Sequence, residues 1–205
     1  MNRSPVFWDV DTQHDFMDED GKLAVPGAAE IVPNLKRLTD FALQRRIPIL
    51  ASADAHGPDD PEFDQFGRHC VAGTPGQGKI EATVTPTCET ADPWRLGEQL
   101  NGLLEGGIQQ IVIEKQDLDV FSVPLAQRAL SALGPDRVYV YGVATEYCVL
   151  RAVLGLVERG YDVTVVRDAV RGVNEENARE AIEQMRAAGA KLADTRTVLA
   201  SLSEE

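Results

Sequence analysis

The chain has 205 residues, 43% of them hydrophobic, enough for one domain with a sizeable core. Its 33 acidic residues against 20 basic ones give a formal charge of −13, which argues against a nucleic-acid partner held by clustered Lys and Arg. No apolar run approaches a bilayer span. Residues 1–5 lead straight into a strand-like segment without a signal-peptide layout. Three widely spaced cysteines (Cys70, Cys88 and Cys148) suggest no disulfide framework, so a single cytoplasmic domain over residues 1–205, off the membrane, is expected.

In chain order, Val6-Phe7-Trp8-Asp9-Val10 predicts a first strand. Ile31, Leu35, Leu38, Phe41 and Ala42 recur at helical spacing and predict a helix over residues 29–45. Residues 47–51 form a second strand. From Gly57 to about Asp92, Gly, Pro, Asp and Thr predominate, which predicts loop, with short strands near residues 81–85. A helix over 93–104, a strand over 108–114, a helix over 123–133 and a strand over 137–141 follow. A helix over 146–158, a strand over 162–166, a helix over 175–188, a short strand over 191–193 and a last turn or helix over 195–203 complete the series. Such alternation predicts an α/β fold: a doubly wound, mostly parallel sheet with helices on both faces. Ligands of such sheets bind beyond the carboxyl ends of the strands.

Residues able to do chemistry fall at those ends. Asp11 follows the first strand, Asp54 and His56 the second, Lys115 the third and Cys148 the fourth. Cys148 stands where a strand hands over to a helix, where the positive end of the dipole is expected to lower a thiol pKa. On that stretch alone, a buried structural cysteine is an equal reading. A Cys nucleophile, Asp11 as general base and Lys115 as their electrostatic partner make a constellation for attack on a carbonyl. Backbone amides at Ala144 and Cys148 would receive the developing oxyanion. Asp9, inside the strand, and Asp15, suited to bonding loop backbone, compete with Asp11.

Asp54 and His56 are two apart in an extended segment and point the same way, as two metal ligands would. His69 is the third candidate. Glu62 is a further one, and Cys70 a weaker one, because it would point away from its neighbour His69.

These residues resemble the nicotinamidase/isochorismatase-like cysteine hydrolases over almost the whole chain, residues 6–194. Val10-Asp11-Thr12-Gln13-His14-Asp15-Phe16 is similar to the family's opening motif, and Ile113-Glu114-Lys115 to the strand ending in its lysine. Gly142-Val143-Ala144-Thr145-Glu146-Tyr147-Cys148-Val149 resembles the nucleophile turn. The Asp54, His56, His69 set favours the nicotinamidase branch over true isochorismatases, which typically lack the cysteine. The resemblance implies an amidohydrolase working through a Cys thioester, with a cis peptide bond between Val143 and Ala144. It also implies a divalent metal, zinc first, with iron and manganese as alternatives. The substrate would be a small heteroaromatic amide held between Phe16 and Phe66, and the protein a homo-oligomer. Two other readings stand beside it: a family hydrolase of a carbamoyl or ureido substrate without metal, and a flavodoxin-like binding module without turnover. The absence of a G-x-G-x-x-G loop after the first strand disfavours a dinucleotide ligand. Two segments depart from the family pattern. The one between His69 and Lys115 is longer, with Trp94 and an extra helix expected to reshape the pocket mouth or an oligomer contact. The stretch from Gln116 to Ser122 matches only loosely.

Overall fold

The computed structural model describes residues 5–204; the reading of residues 1–4 as the run into the first strand lies outside them. Seven strands form one parallel sheet: β1 Val6–Val10, β2 Ile49–Asp54, β3 Cys88–Thr90, β4 Gln110–Lys115, β5 Arg137–Val143, β6 Asp162–Arg171 and β7 Lys191–Ala193. Their order is β3-β4-β2-β1-β5-β6-β7. The helices are α1 His14–Met17, α2 Val32–Arg45, α3 Phe63–Phe66, α4 Leu96–Glu105, α5 Pro124–Leu133, α6 Leu150–Glu158, α7 Glu175–Ala188 and α8 Thr195–Ser203.

The period-2 alternation of β1 sorts the core into two layers. Val6, Trp8 and Val10 face one side, with the buried residues of α4, α5, α6 and α7. Phe7 faces the other, with Leu35, Leu38 and Ala42 of α2 and Val198 and Leu202 of α8. Leu35 and Leu38 are fully buried, and each stabilises the fold by roughly 1.5–3 kcal/mol. Pro33 begins α2, where its missing N–H costs nothing, and Arg46 at φ 55° ends it.

Four expectations change. Residues 81–85 hold no strand; Glu81–Thr83 is a 3₁₀ turn. The buried side chain of Gln110 satisfies that loop instead, accepting from Thr85 N–H at 3.1 Å and donating to Thr83 C=O at 3.0 Å. The helix expected from residue 146 opens as a π-type turn, Thr145–Val149, with Tyr147 at φ −117°, ψ −106°, and becomes α-helical only at Leu150. Strand β6 runs five residues beyond Val166. Between its pairings Val140↔Val165 and Gly142↔Val170 the register shifts, and the polar Arg167-Asp168 pair is absorbed there. Finally, the extra helix α4 packs into the helix layer and contributes nothing to the cavity below, while Trp94 is 94% exposed.

Gly142 decides how closely β5 abuts β1. Its φ is +118°, and a Cβ there would stand 2.0 Å from the carbonyl oxygen of Val10. Both facts demand glycine. Gly142→Ala is therefore expected to cost at least about 2 kcal/mol and lower Tm by roughly 4 °C or more. Thermal unfolding checks this, and an unchanged Tm would contradict so close an approach.

Candidate active site

The carboxyl ends of β1, β2, β4 and β5 meet at one rim, and parallel pairing fixes who faces whom. Asp54 lies opposite Lys115 in the β2–β4 register, and Val10 lies opposite both Ser52 and Gly142. Asp11 follows with φ 49°, a left-handed conformation unusual for a non-glycine residue and common where function constrains the backbone. It is fully buried.

Lys115 is the hub. Its ammonium lies 2.9 Å from Asp11 Oδ2, donates to Asp54 Oδ1 and lies 3.5 Å from Cys148 Sγ. Ser52 Oγ donates to Asp11 Oδ1 at 2.6 Å, so both oxygens of that carboxylate have neighbours. Burial alone would favour a neutral lysine, but the two carboxylates outweigh it and hold Lys115 well above the ordinary lysine pKa. Burial likewise opposes ionisation of Asp54, yet Lys115 and His56 bring its pKa below the usual value.

The sequence-based expectation for Cys148 is corrected: its pKa is raised, not lowered. Burial is the main cause; Lys115 pulls it down, while Asp11 and Asp54 push it up. Burial and the two carboxylates together outweigh the pull of the one ammonium beside the sulfur. This burial favours the protonated sulfur, and the Asp11 carboxylate stands beside it. The peptide bond between Val143 and Ala144 is cis.

Beside this cluster three metal-binding side chains converge. Ligand atoms of Asp54, His56 and His69 lie within 4.8 Å of one another, all buried. His56 and His69 meet because their loop pairs with itself: His56 N–H donates to Cys70 C=O at 3.0 Å, and Ala72 N–H to His56 C=O at 2.9 Å. The outer ring nitrogens are occupied, His56 Nδ1 by Asp60 Oδ2 at 3.0 Å and His69 Nδ1 by Gly67 C=O at 2.8 Å. The inner nitrogens point at Asp54 Oδ2, at 3.7 Å for His56 and 3.9 Å for His69. Among the described residues His56 Nε2 is buried with no hydrogen-bond partner. An orphaned imidazole nitrogen, a second imidazole and a free carboxylate oxygen, each held from behind, suit a divalent cation. Glu62 sits at the edge of this group, its pKa raised by burial. Cys70 stays outside it, packed in the core with its thiol pushed up by burial.

A cavity of about 100 Å³ opens onto Cys148, Asp54, His69 and Glu62; Phe16, Phe66 and Tyr147 wall it with their rings. The competitors of Asp11 have other partners. Asp9 pairs with Lys79 at 2.9 Å. Asp15 accepts from the N–H groups of Lys22 at 3.2 Å and Cys70 at 2.7 Å, which holds the His69 loop. Sequence reasoning missed Gln13, Ser52 and Asp60. Gln13 accepts from Asp54 N–H at 2.7 Å and donates to Asp54 C=O at 2.8 Å, fixing the residue that touches both halves of the site. The spacing was a readable signal for Gln13, two residues after Asp11, and for Ser52, two before Asp54 in one strand.

Comparison with known proteins shows the family. Residues 9–197 match the isochorismatase domain. The chain is 33% identical to a nicotinamidase from Escherichia coli (strain K12), over 89% of this chain and 91% of the relative. It is 29% identical to a nicotinamidase/pyrazinamidase from Mycobacterium tuberculosis (strain ATCC 25618 / H37Rv), over 89% and 95% of the two chains. The crystal structure of a pyrazinamidase of Pyrococcus horikoshii in complex with zinc superposes with a TM-score of 0.76 at 29% identity, covering 93% of this chain and 99% of that one. Among the described residues no helix is long and apolar enough to cross a membrane. The chain belongs to the nicotinamidase/isochorismatase family of hydrolases, and it has that family's parallel α/β fold.

Proposed function

We propose that this protein hydrolyses the carboxamide of a small, flat heteroaromatic ring such as nicotinamide, giving the acid and ammonia through a thioester on Cys148. The observation that carries the proposal is Lys115, whose one ammonium touches Asp11 and Asp54 and lies 3.5 Å from the Cys148 sulfur at the wall of the cavity. The relatives described above, a nicotinamidase and a nicotinamidase/pyrazinamidase, support the same reading.

In this reading Asp11 takes the thiol proton as sulfur attacks the amide carbon, so a C–S bond forms and the carbonyl oxygen becomes an oxyanion. The amides of Ala144 and Cys148 receive that charge. Asp11 returns the proton to the amide nitrogen, the C–N bond breaks and ammonia leaves. Asp11 then takes a proton from water, whose oxygen attacks the thioester. The C–S bond breaks, the acid departs and the thiol is restored. The Lys115 ammonium stands 2.9 Å from Asp11 Oδ2 and steadies the carboxylate each time it has given up its proton, and Ser52 holds it in place. A neutral resting thiol suits this sequence, because the base stands ready at the same rim.

Asp54, His56 and His69 would hold a divalent metal, with Glu62 nearby. When bound, such an ion supplies a Lewis-acid anchor for the ring nitrogen. Phe16 and Phe66 provide apolar faces for the ring, and burial of the cavity excludes bulk water. The proposal is tested by ammonia release from nicotinamide, pyrazinamide and N-carbamoyl amino acids. Turnover of the two ring amides is expected. Turnover of the N-carbamoyl compounds alone, by protein without stoichiometric metal, would overturn it.

The metal site has a pH signature. Burial favours a neutral His56, but the Asp54 carboxylate 3.7 Å away and the hydrogen bond to Asp60 outweigh it and raise the metal-free imidazole to about 9. Its folded pKa is raised, so it carries a proton below about pH 9 that a metal must displace. Affinity for zinc is therefore expected to weaken as pH falls, and zinc added to lightly buffered metal-free protein at pH 7.5 should release about one proton. Calorimetry in buffers of different ionisation enthalpy reads that number. Binding without proton release would contradict the assignment of His56, as would unchanged metal content in His56→Ala.

A further inference from the structure

Glu146 lies two residues before Cys148, in the turn between β5 and α6, and its side chain bonds a different loop. Its Oε1 accepts the backbone N–H of Asn174 at 2.8 Å. Asn174 is the N-cap of α7, and its side chain accepts from Glu176 N–H and Asn177 N–H, both at 3.0 Å. Residue 172 is glycine, and a Cβ there would stand 2.4 Å from Glu146 Oε2 and 2.6 Å from the Cβ of Ala178. The carboxylate is thus seated directly on the loop between β6 and α7. Between the glycine it touches and the asparagine it holds sits Val173, 45% exposed and lining the cavity that opens onto Cys148. One side chain therefore joins the cysteine turn to the lip of the cavity.

We propose that Glu146 is a positioning residue that straps the loop of residues 172–174 to the cysteine turn, so that Val173 narrows the mouth and sets the size of molecule that reaches the sulfur. The inference rests on the proposed function in taking this cavity as the reaction site, but its test needs no turnover. A carboxylate in this turn is not required for the acyl chemistry itself, which Asp11 and Lys115 supply. What it adds is a fixed distance between two loops that follow neighbouring strands.

The experiment compares alkylation of Cys148 by compact iodoacetamide and by bulkier N-ethylmaleimide, located by peptide mass. In Glu146→Ala the loss of one charge-assisted hydrogen bond should raise the maleimide rate about tenfold, with the iodoacetamide rate changing less than about threefold. Glu146→Gln keeps an oxygen for the Asn174 N–H and should restore wild-type selectivity. A Glu146→Ala protein with the wild-type ratio of rates would overturn the strap, as would one in which both rates rise equally. Should Glu146→Ala fail to fold, Val173→Gly removes the lip from an exposed position and is expected to give the same loss of selectivity; an unchanged ratio there overturns the proposal. A protein that shows the selectivity change yet releases no ammonia from ring amides would refute the proposed substrate and leave the strap standing.

Discussion

Cys148→Ala is expected to lower kcat for nicotinamide by at least about 10⁴-fold, because removing a nucleophile removes the covalent route as a whole. The change takes away a single sulfur, and Tm should move by no more than a few degrees. Binding of the ring amide should persist, since Phe16, Phe66 and the metal-binding side chains remain. Steady-state kinetics with a thermal melt separate the two effects. A variant retaining activity within about tenfold of wild type would remove Cys148 from the chemistry.

Lys115→Met is expected to damage both activity and stability. In the wild-type protein the ammonium is held by two buried carboxylates, Asp11 and Asp54. Without it they stand together in a buried site with no counter-charge, and breaking a buried pair in this way costs about 3–5 kcal/mol. For a domain of this size that is a fall in Tm of roughly 6–20 °C. The sign of the pH dependence identifies the cause. Asp54 has a lowered pKa in the folded wild-type protein, so its contribution is present above the unfolded carboxylate range and is lost as pH falls through the folded value. In the variant the unpaired carboxylates bind protons more readily, and acid relieves the repulsion. The Tm deficit, measured with chelator present so that no cation substitutes for the ammonium, should be larger at pH 8 than at pH 5. A deficit independent of pH would point to lost packing instead.

The carboxyl-end rule made this rim readable from the sequence: Asp54 and Lys115 end strands, and Asp11, His56 and Cys148 come after strands, whose apolar runs are plain. Periodicity also gave the long helices, because α2 and α7 each span 14 residues and repeat their apolar positions several times. It failed on α1 and α3, four residues each, which are too short for a helical period to show. It missed β3 because three residues carry no alternation, and the second half of β6 because Arg167 and Asp168 interrupt the pattern at a register shift. The pKa of Cys148 was misjudged for a different reason. A local argument from the helix dipole sees the residues next in sequence, whereas Asp11 and Asp54, which oppose the thiolate, arrive from other strands. Asp60, only four residues after His56, was missed because an irregular loop carries no period that would aim its carboxylate at the ring nitrogen it holds.

The covalent route is tested most directly by adding hydroxylamine to the enzyme during nicotinamide turnover. A thioester on Cys148 predicts that nicotinohydroxamate appears at the expense of nicotinate while ammonia release continues, and that neither product forms with Cys148→Ala. Nicotinate as the sole acyl product at every hydroxylamine concentration would contradict an acyl-enzyme, and with it the role assigned here to the buried sulfur beside Asp11 and Lys115.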